Sequence, residues 1–176
     1  HEHAERFGKK YNAQRRYGSY AEIVKDPDVD VIYIATPHNL HYENTLMCLE
    51  NKKPVLCEKP LAVNLKQVNE LITSAERNNT FLMEAMWTRY LPKVEKAIQL
   101  IDAGKLGDVT FLRSDFGFFA PVHPEGRLYN PNLAGGSLLD IGIYTIFFAL
   151  QFMGYPDKII ANAKIGETGI DEFCSM

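Results

Sequence analysis

Two kinds of apolar pattern alternate along the chain. Residues 29–35 (Val-Asp-Val-Ile-Tyr-Ile-Ala) and 54–57 (Pro-Val-Leu-Cys) are short, nearly continuous apolar runs. Such runs read as strands of a parallel sheet buried on both faces. Between them Tyr42, Leu46 and Leu49 recur as one face of a helix that closes at Asn51-Lys52-Lys53-Pro54. Asn64 then caps a helix with the apolar stripe Leu65, Val68, Leu71, Ile72 and Ala75, and residues 80–85 form a further strand. Ahead of this series, residues 2–10 are polar and helix-compatible. Ser19 with Glu22 three residues on has the pattern of a capping box for a short helix.

After residue 86 the order changes. Pro92 opens a helix with Val94, Ala97, Ile98 and Ile101 on one face and Gly104 past its end. Residues 109–118 read as a long strand, and 119–134 as a loop rich in Pro, Gly and Asn. Residues 135–153 are apolar around nearly the whole circumference, which predicts a buried helix. Strands are predicted at 158–165 and from 169 onward. Strands alternating with helices of this length make a right-handed parallel series, half of a doubly wound nucleotide-binding fold. The predicted class is therefore α/β, with the later part of a Rossmann-type sheet over residues 1–86 and the start of an α+β domain over residues 87–176.

At 176 residues with 46% hydrophobic side chains, the chain can bury a sizeable core. A net charge of −3 and scattered Lys and Arg supply no basic field for nucleic acid or anionic lipid. Cys48, Cys57 and Cys174 lack metal-ligand spacing and are odd in number, so they are expected to be thiols in a reducing compartment. No metal site is expected. No apolar run is read as approaching the roughly 18 residues that span a bilayer, and residues 1–5 do not resemble a signal peptide. Cytoplasm is the expected location.

Polar residues stand out against this pattern at the carboxyl ends of the first two strands, where open parallel sheets bind ligands. They are Thr36-Pro37-His38-Asn39 and Glu58-Lys59-Pro60. Asp140 and Tyr144 share a face of the apolar helix. Burying a carboxylate and a phenol costs several kcal/mol unless each finds a partner, and Lys59 is the obvious one. The plainer alternatives are an Asp140 that caps a backbone group, a Tyr144 with its hydroxyl at the surface, and a His41 that caps its helix. Trp87 either packs a domain junction or lines a ligand.

Four stretches together carry a resemblance: residues 36–41 (Thr-Pro-His-Asn-Leu-His), 56–61 (Leu-Cys-Glu-Lys-Pro-Leu), 86–92 (Met-Trp-Thr-Arg-Tyr-Leu-Pro) and 135–144 (Gly-Gly-Ser-Leu-Leu-Asp-Ile-Gly-Ile-Tyr). In this order and spacing they resemble the Gfo/Idh/MocA oxidoreductases. The tyrosine at 144 is similar to the dimeric dihydrodiol dehydrogenase and glucose-fructose oxidoreductase branch. The resemblance implies Lys59 and Tyr144 as the catalytic pair and His41, Trp87, Phe116 and Asp140 as the pocket lining. It also implies Thr36, Pro37, Asn39, Glu58, Lys59 and Arg89 as cofactor-binding residues. The cofactor is then NAD(P), with NADP slightly favoured, and the second domain serves substrate binding and dimerisation. A small-molecule substrate and a homo-oligomer, dimer or tetramer, are implied, with no nucleic-acid or membrane partner.

The chemistry suits these residues. Oxidising a carbinol requires loss of the hydroxyl proton as hydride leaves, and a phenol, whose unperturbed pKa is about 10, becomes a better base beside an ammonium. The expected activity is hydride transfer between NAD(P) and a carbinol or carbonyl of a sugar, polyol or dihydrodiol. The alternative is a non-catalytic regulator of the same fold that binds dinucleotide or sugar. No Gly-x-Gly-x-x-Gly occurs, so the chain reads as an internal fragment, inactive alone, with roughly 30 residues or more of a βαβ unit ahead of it.

Overall fold

The computed structural model describes residues 2–176. Its first half is a three-stranded parallel sheet in the order β1 (Ile32–Ile34), β2 (Val55–Cys57), β3 (Leu82–Glu84). Ile32 pairs with Val55 and Ile34 with Cys57, then Val55 with Leu82 and Cys57 with Glu84. Parallel neighbours need a crossover, and the helices between them supply it. Before β1 come α1 (Glu2–Lys10) and α2 (Tyr20–Ile23); α3 (His41–Glu50) links β1 to β2, and α4 (Leu65–Asn78) links β2 to β3. Thr36 and Glu58 therefore stand at one edge of the sheet, as the crossover through α3 requires.

The core is Val24, Ile32, Ile34, Cys48, Leu49, Val55, Cys57, Ala62 and Leu71. The buried stripe of α3 is His41, Thr45, Cys48 and Leu49, one position round from the expected one. Tyr42 and Leu46 turn instead toward α4 and line a groove with Glu70, whose carboxylate accepts from the Tyr42 hydroxyl at 2.6 Å. Leu49 lies in the core as expected, with Tyr42 and Leu46 packed at its margin, and hydropathy missed His41 and Thr45 because they are polar. Strand β1 is covered on one face only, since Val31 and Tyr33 are more than half exposed. Asn64 caps α4 as expected, its side chain accepting from the Gln67 N–H at 3.0 Å. The capping box at α2 does not form: Ser19 makes no side-chain cap, and the Glu22 carboxylate accepts from Gly18 N–H.

The second half departs further from expectation. Helix α5 (Pro92–Asp102) starts at its proline and buries Val94. Residues 109–118 form no strand, because a strand needs a hydrogen-bonded neighbour and the second sheet consists of β4 (Asn162–Ile165) and β5 (Asp171–Ser175) paired to each other, antiparallel. Phe111, at 79% exposed, shows how little covers that stretch. The apolar helix opens with one π turn (Leu138–Gly142) and continues as α6 (Ile143–Met153). None of the residues of α6 is buried, so the expected buried helix is half-exposed in this chain. The helical stretch Pro131–Met153 is 23 residues long and apolar enough, by length and composition alone, to cross a membrane, which corrects the expectation that no such run exists. Its amino-terminal part carries Asp140, whose ion pair with Lys59 docks it against the parallel sheet's edge.

Candidate active site

The cleft at the carboxyl edge of β1 and β2 is built from two loops and one helix. Ala35, Thr36, Pro37, His38 and His41 come from the β1 side, Glu58 and Lys59 from the β2 side, and Arg127, Leu133 and Asp140 close it from the second half. Its volume of about 320 Å³ falls in the range of small-molecule pockets. Pro60 follows Lys59 through a cis bond.

Asp140 is the hub. Its carboxylate, only 8% exposed, lies 3.1 Å from Lys59 Nζ and 2.9 Å from Arg127 Nη1. Lys59 also donates to the Asp140 main-chain oxygen. Burial works to raise the Asp140 carboxyl pKa, but the hydrogen bond from Arg127 and the Lys59 charge outweigh it, and the group is held below the usual carboxylate range. His38 approaches the same carboxylate at 3.9 Å through Nε2, while its Nδ1 lies 3.0 Å from the Ala134 carbonyl oxygen. Desolvation lowers the His38 pKa, against the opposing pull of that carbonyl and of Asp140.

Tyr144 meets Lys59 differently from the way the sequence implied. The ammonium lies 5.0 Å from the centroid of the Tyr144 ring, over its face, whereas the phenol oxygen accepts from Trp87 Nε1 at 3.0 Å. Phe116 packs on the same ring with centroids 5.6 Å apart. Lys59, Asp140, Tyr144, Trp87 and Phe116 are thus brought together. His41 is drawn in but fully buried. Its Nδ1 lies 2.7 Å from the Pro60 carbonyl oxygen and its Nε2 2.8 Å from that of Thr36. Each nitrogen faces a main-chain carbonyl oxygen of one of the two loops, so the ring ties the β1 and β2 ends together.

Thr36, Pro37, Glu58 and Lys59 line the cleft, and Glu58 is held at its mouth by the Tyr33 hydroxyl. Asn39 does not line it; its Oδ1 is buried with no partner among the described residues. Arg89 faces a separate groove with Glu84, Met86 and the α6 residues Ile143, Ile146, Phe147 and Leu150. Sequence reasoning missed Arg127, which lies in a featureless Pro- and Gly-rich loop, and missed His38 as a site residue. The need of a buried Asp140 for partners was the available signal, and it was assigned to Lys59 alone.

Comparison with known proteins places these motifs. A model described as the oxidoreductase family with an NAD-binding Rossmann fold matches residues 1–86, and one for the GFO/IDH/MocA C-terminal domain matches 94–176. The chain belongs to the Gfo/Idh/MocA family. It is 45% identical over 177 residues to trans-1,2-dihydrobenzene-1,2-diol dehydrogenase of Xenopus laevis, covering 99% of this chain and 53% of that protein. The structure superposes on an NAD binding oxidoreductase from Klebsiella pneumoniae with a TM-score of 0.80 and 34% identity, over 93% of this chain and 44% of that one. It also resembles a 3-ketoreductase from Actinomadura kijaniata solved with NADP, with a TM-score of 0.71 and 29% identity over 87% and 46% of the two chains. The chain spans about half the length of the curated relatives it matches.

The pKa shifts at this Gfo/Idh/MocA cleft predict a pH dependence of stability. The folded-state values of His38 and Asp140 are both depressed. Each group therefore stabilises the fold above its ordinary value, about 6.5 for His and 3.9 for Asp, and the contribution is lost as pH falls through the depressed folded value. Thermal unfolding should show stability falling as pH drops below about 6.5, first through His38 and then through Asp140. His38→Gln should flatten the upper part of that slope and leave the part below pH 4 in place; an unchanged slope would remove His38 from the linkage.

Proposed function

We propose that this chain forms the catalytic cleft of an NAD(P)-dependent oxidoreductase. In the full-length protein it would move a hydride between the nicotinamide and a carbinol or carbonyl carbon of a dihydrodiol, polyol or sugar. The observation that carries this reading is the pairing of Lys59 with Asp140 in the cleft at the ligand-binding edge of a parallel sheet, with the Tyr144 ring against the Lys59 ammonium. The named activities of the dihydrodiol dehydrogenases at about 45% identity support it.

The residues present fit the nicotinamide half of a dinucleotide. Thr36, Pro37, Glu58 and Lys59 line an open cleft at the right edge of the sheet, and all four would hold it. When bound, the nicotinamide supplies the hydride acceptor or donor. Everything else falls to the chain's own side chains. Tyr144 takes the hydroxyl proton of a carbinol, or returns it to a carbonyl oxygen in the reverse direction. Lys59, fixed by Asp140, places a positive charge beside the tyrosine ring and stabilises negative charge developing on either oxygen. Arg127 shares Asp140 with Lys59, so the carboxylate orients the lysine while dividing its charge between two cations. The aromatic wall of Trp87 and Phe116 would seat the apolar face of a cyclic substrate.

We assign residues 1–86 to the cofactor half and 87–176 to the substrate half. The three free cysteines support a reducing, cytoplasmic setting for the homo-oligomeric enzyme. The test is a panel of trans-dihydrodiols, polyols and sugars given to the full-length protein with NAD⁺ or NADP⁺, read by absorbance of the reduced nicotinamide. Turnover of at least one class, lowered by roughly 10²-fold or more in Tyr144→Phe, is expected. Tight dinucleotide binding with no turnover across the panel would favour a non-catalytic regulator.

A further inference from the structure

We propose that Trp87 is a positioning residue for Tyr144, its indole N–H holding the phenol oxygen in the orientation from which it exchanges a proton with substrate. This rests on the role given to Tyr144 above. Trp87 lies in the single 3-10 turn Trp87–Tyr90 that follows β3. The turn is anchored by the buried Thr88 and by the Trp87 N–H donating to the Ala85 carbonyl at 2.9 Å. Trp87 is 55% exposed, so core packing does not account for where its indole points. It donates to the Tyr144 oxygen at 3.0 Å, with the two rings edge to face at 6.0 Å between centroids and 70° between planes.

The direction of this bond matters. An indole N–H can only donate, so the phenol oxygen accepts and its own proton is left for another partner. That is the arrangement a proton-transferring phenol needs: one lone pair fixed by the protein and the O–H free to turn to the substrate oxygen. The bond also strengthens when the phenol oxygen gains negative charge, since hydrogen bonds to charged acceptors are stronger than neutral ones. Lys59 cannot do the same, because it sits over the ring face at 5.0 Å and is engaged by Asp140. Phe116 fixes the ring laterally and has no donor. Trp87 thus supplies the hydrogen bond that the lysine was expected to make.

The test uses the full-length enzyme with two readouts. Trp87→Phe keeps an aromatic ring and removes the donor, and should lower kcat roughly tenfold, the worth of one hydrogen bond, with the cofactor KM unchanged. In ¹⁵N-labelled wild-type protein the Trp87 indole N–H resonance, assigned by its loss in Trp87→Phe, should move upfield in Tyr144→Phe as its acceptor disappears. A Trp87→Phe enzyme with unchanged kcat and a raised substrate KM would make the indole a pocket wall only and overturn the proposal. So would an indole resonance indifferent to Tyr144→Phe. The underlying reading fails separately: Tyr144→Phe at near wild-type turnover would remove the tyrosine from the mechanism, whatever Trp87→Phe does.

Discussion

Replacing Tyr144 with phenylalanine in the full-length protein is expected to lower turnover by roughly 10²-fold or more, the usual worth of a positioned acid-base group, with little change in cofactor affinity. The substitution removes a proton-transfer atom and almost no packing. The ring keeps its contacts with Phe116 and Trp87, and the Lys59 ammonium still lies over its face. A fall in kcat matched by an equal fall in kcat/KM would show that the lost interaction belongs to the transition state. Steady-state kinetics on the best substrate of the panel decide this, and a mutant with near wild-type turnover would leave Lys59 as the proton carrier. His41 is poorly placed for that part, because it is fully buried with each ring nitrogen facing a main-chain carbonyl oxygen.

Lys59→Met should do at least as much damage to turnover, because it removes the charge that faces both the tyrosine ring and the Asp140 carboxylate. Breaking a buried ion pair from one side costs about 3–5 kcal/mol when the remaining charge is left alone. Here Arg127 still holds Asp140, so the loss of stability should fall short of that range. The double variant Lys59→Met/Arg127→Met strips Asp140 of both cations. It should be destabilised by more than the sum of the single changes, because only then does the buried carboxylate lack a counter-charge. Chemical denaturation of the wild type, the two single variants and the double variant measures the coupling. Strict additivity would mean that Asp140 is solvated well enough to need neither partner. Turnover separates the two cations further: Arg127→Met should be much milder than Lys59→Met, since Arg127 reaches the tyrosine only through Asp140.

The parallel sheet and its site edge were legible in the sequence because their signals are local. Residues 29–35 and 54–57 are short apolar runs bounded by turn residues, and one helical crossover between them leaves no choice but parallel pairing with a common carboxyl edge. That placed Thr36, Glu58 and Lys59 together before any contact was known. The four-residue spacing of Asp140 and Tyr144 likewise put both on one side of an apolar helix, and a carboxylate there required a cation.

Tertiary structure decided what periodicity does not encode. Periodicity reports how often a face is apolar, not what lies opposite it: α3 buries His41 and Thr45 rather than Tyr42 and Leu46 because two backbone carbonyls wait for the histidine. A stretch such as residues 109–118 becomes a strand only where another strand offers its hydrogen bonds, and among the described residues none does. The partners of Asp140 and Tyr144 also come from far along the chain. Lys59 is 81 residues from Asp140, and Trp87 is 57 from Tyr144. Arg127 sits in a loop with no pattern at all. The sequence by itself determined the sheet, its edge and the residue types able to do acid-base chemistry there. Which cation faces the carboxylate and which donor faces the phenol were settled only when the chain closed on itself, because hydrogen bonds and ion pairs act over a few ångströms and carry no periodic trace in the sequence.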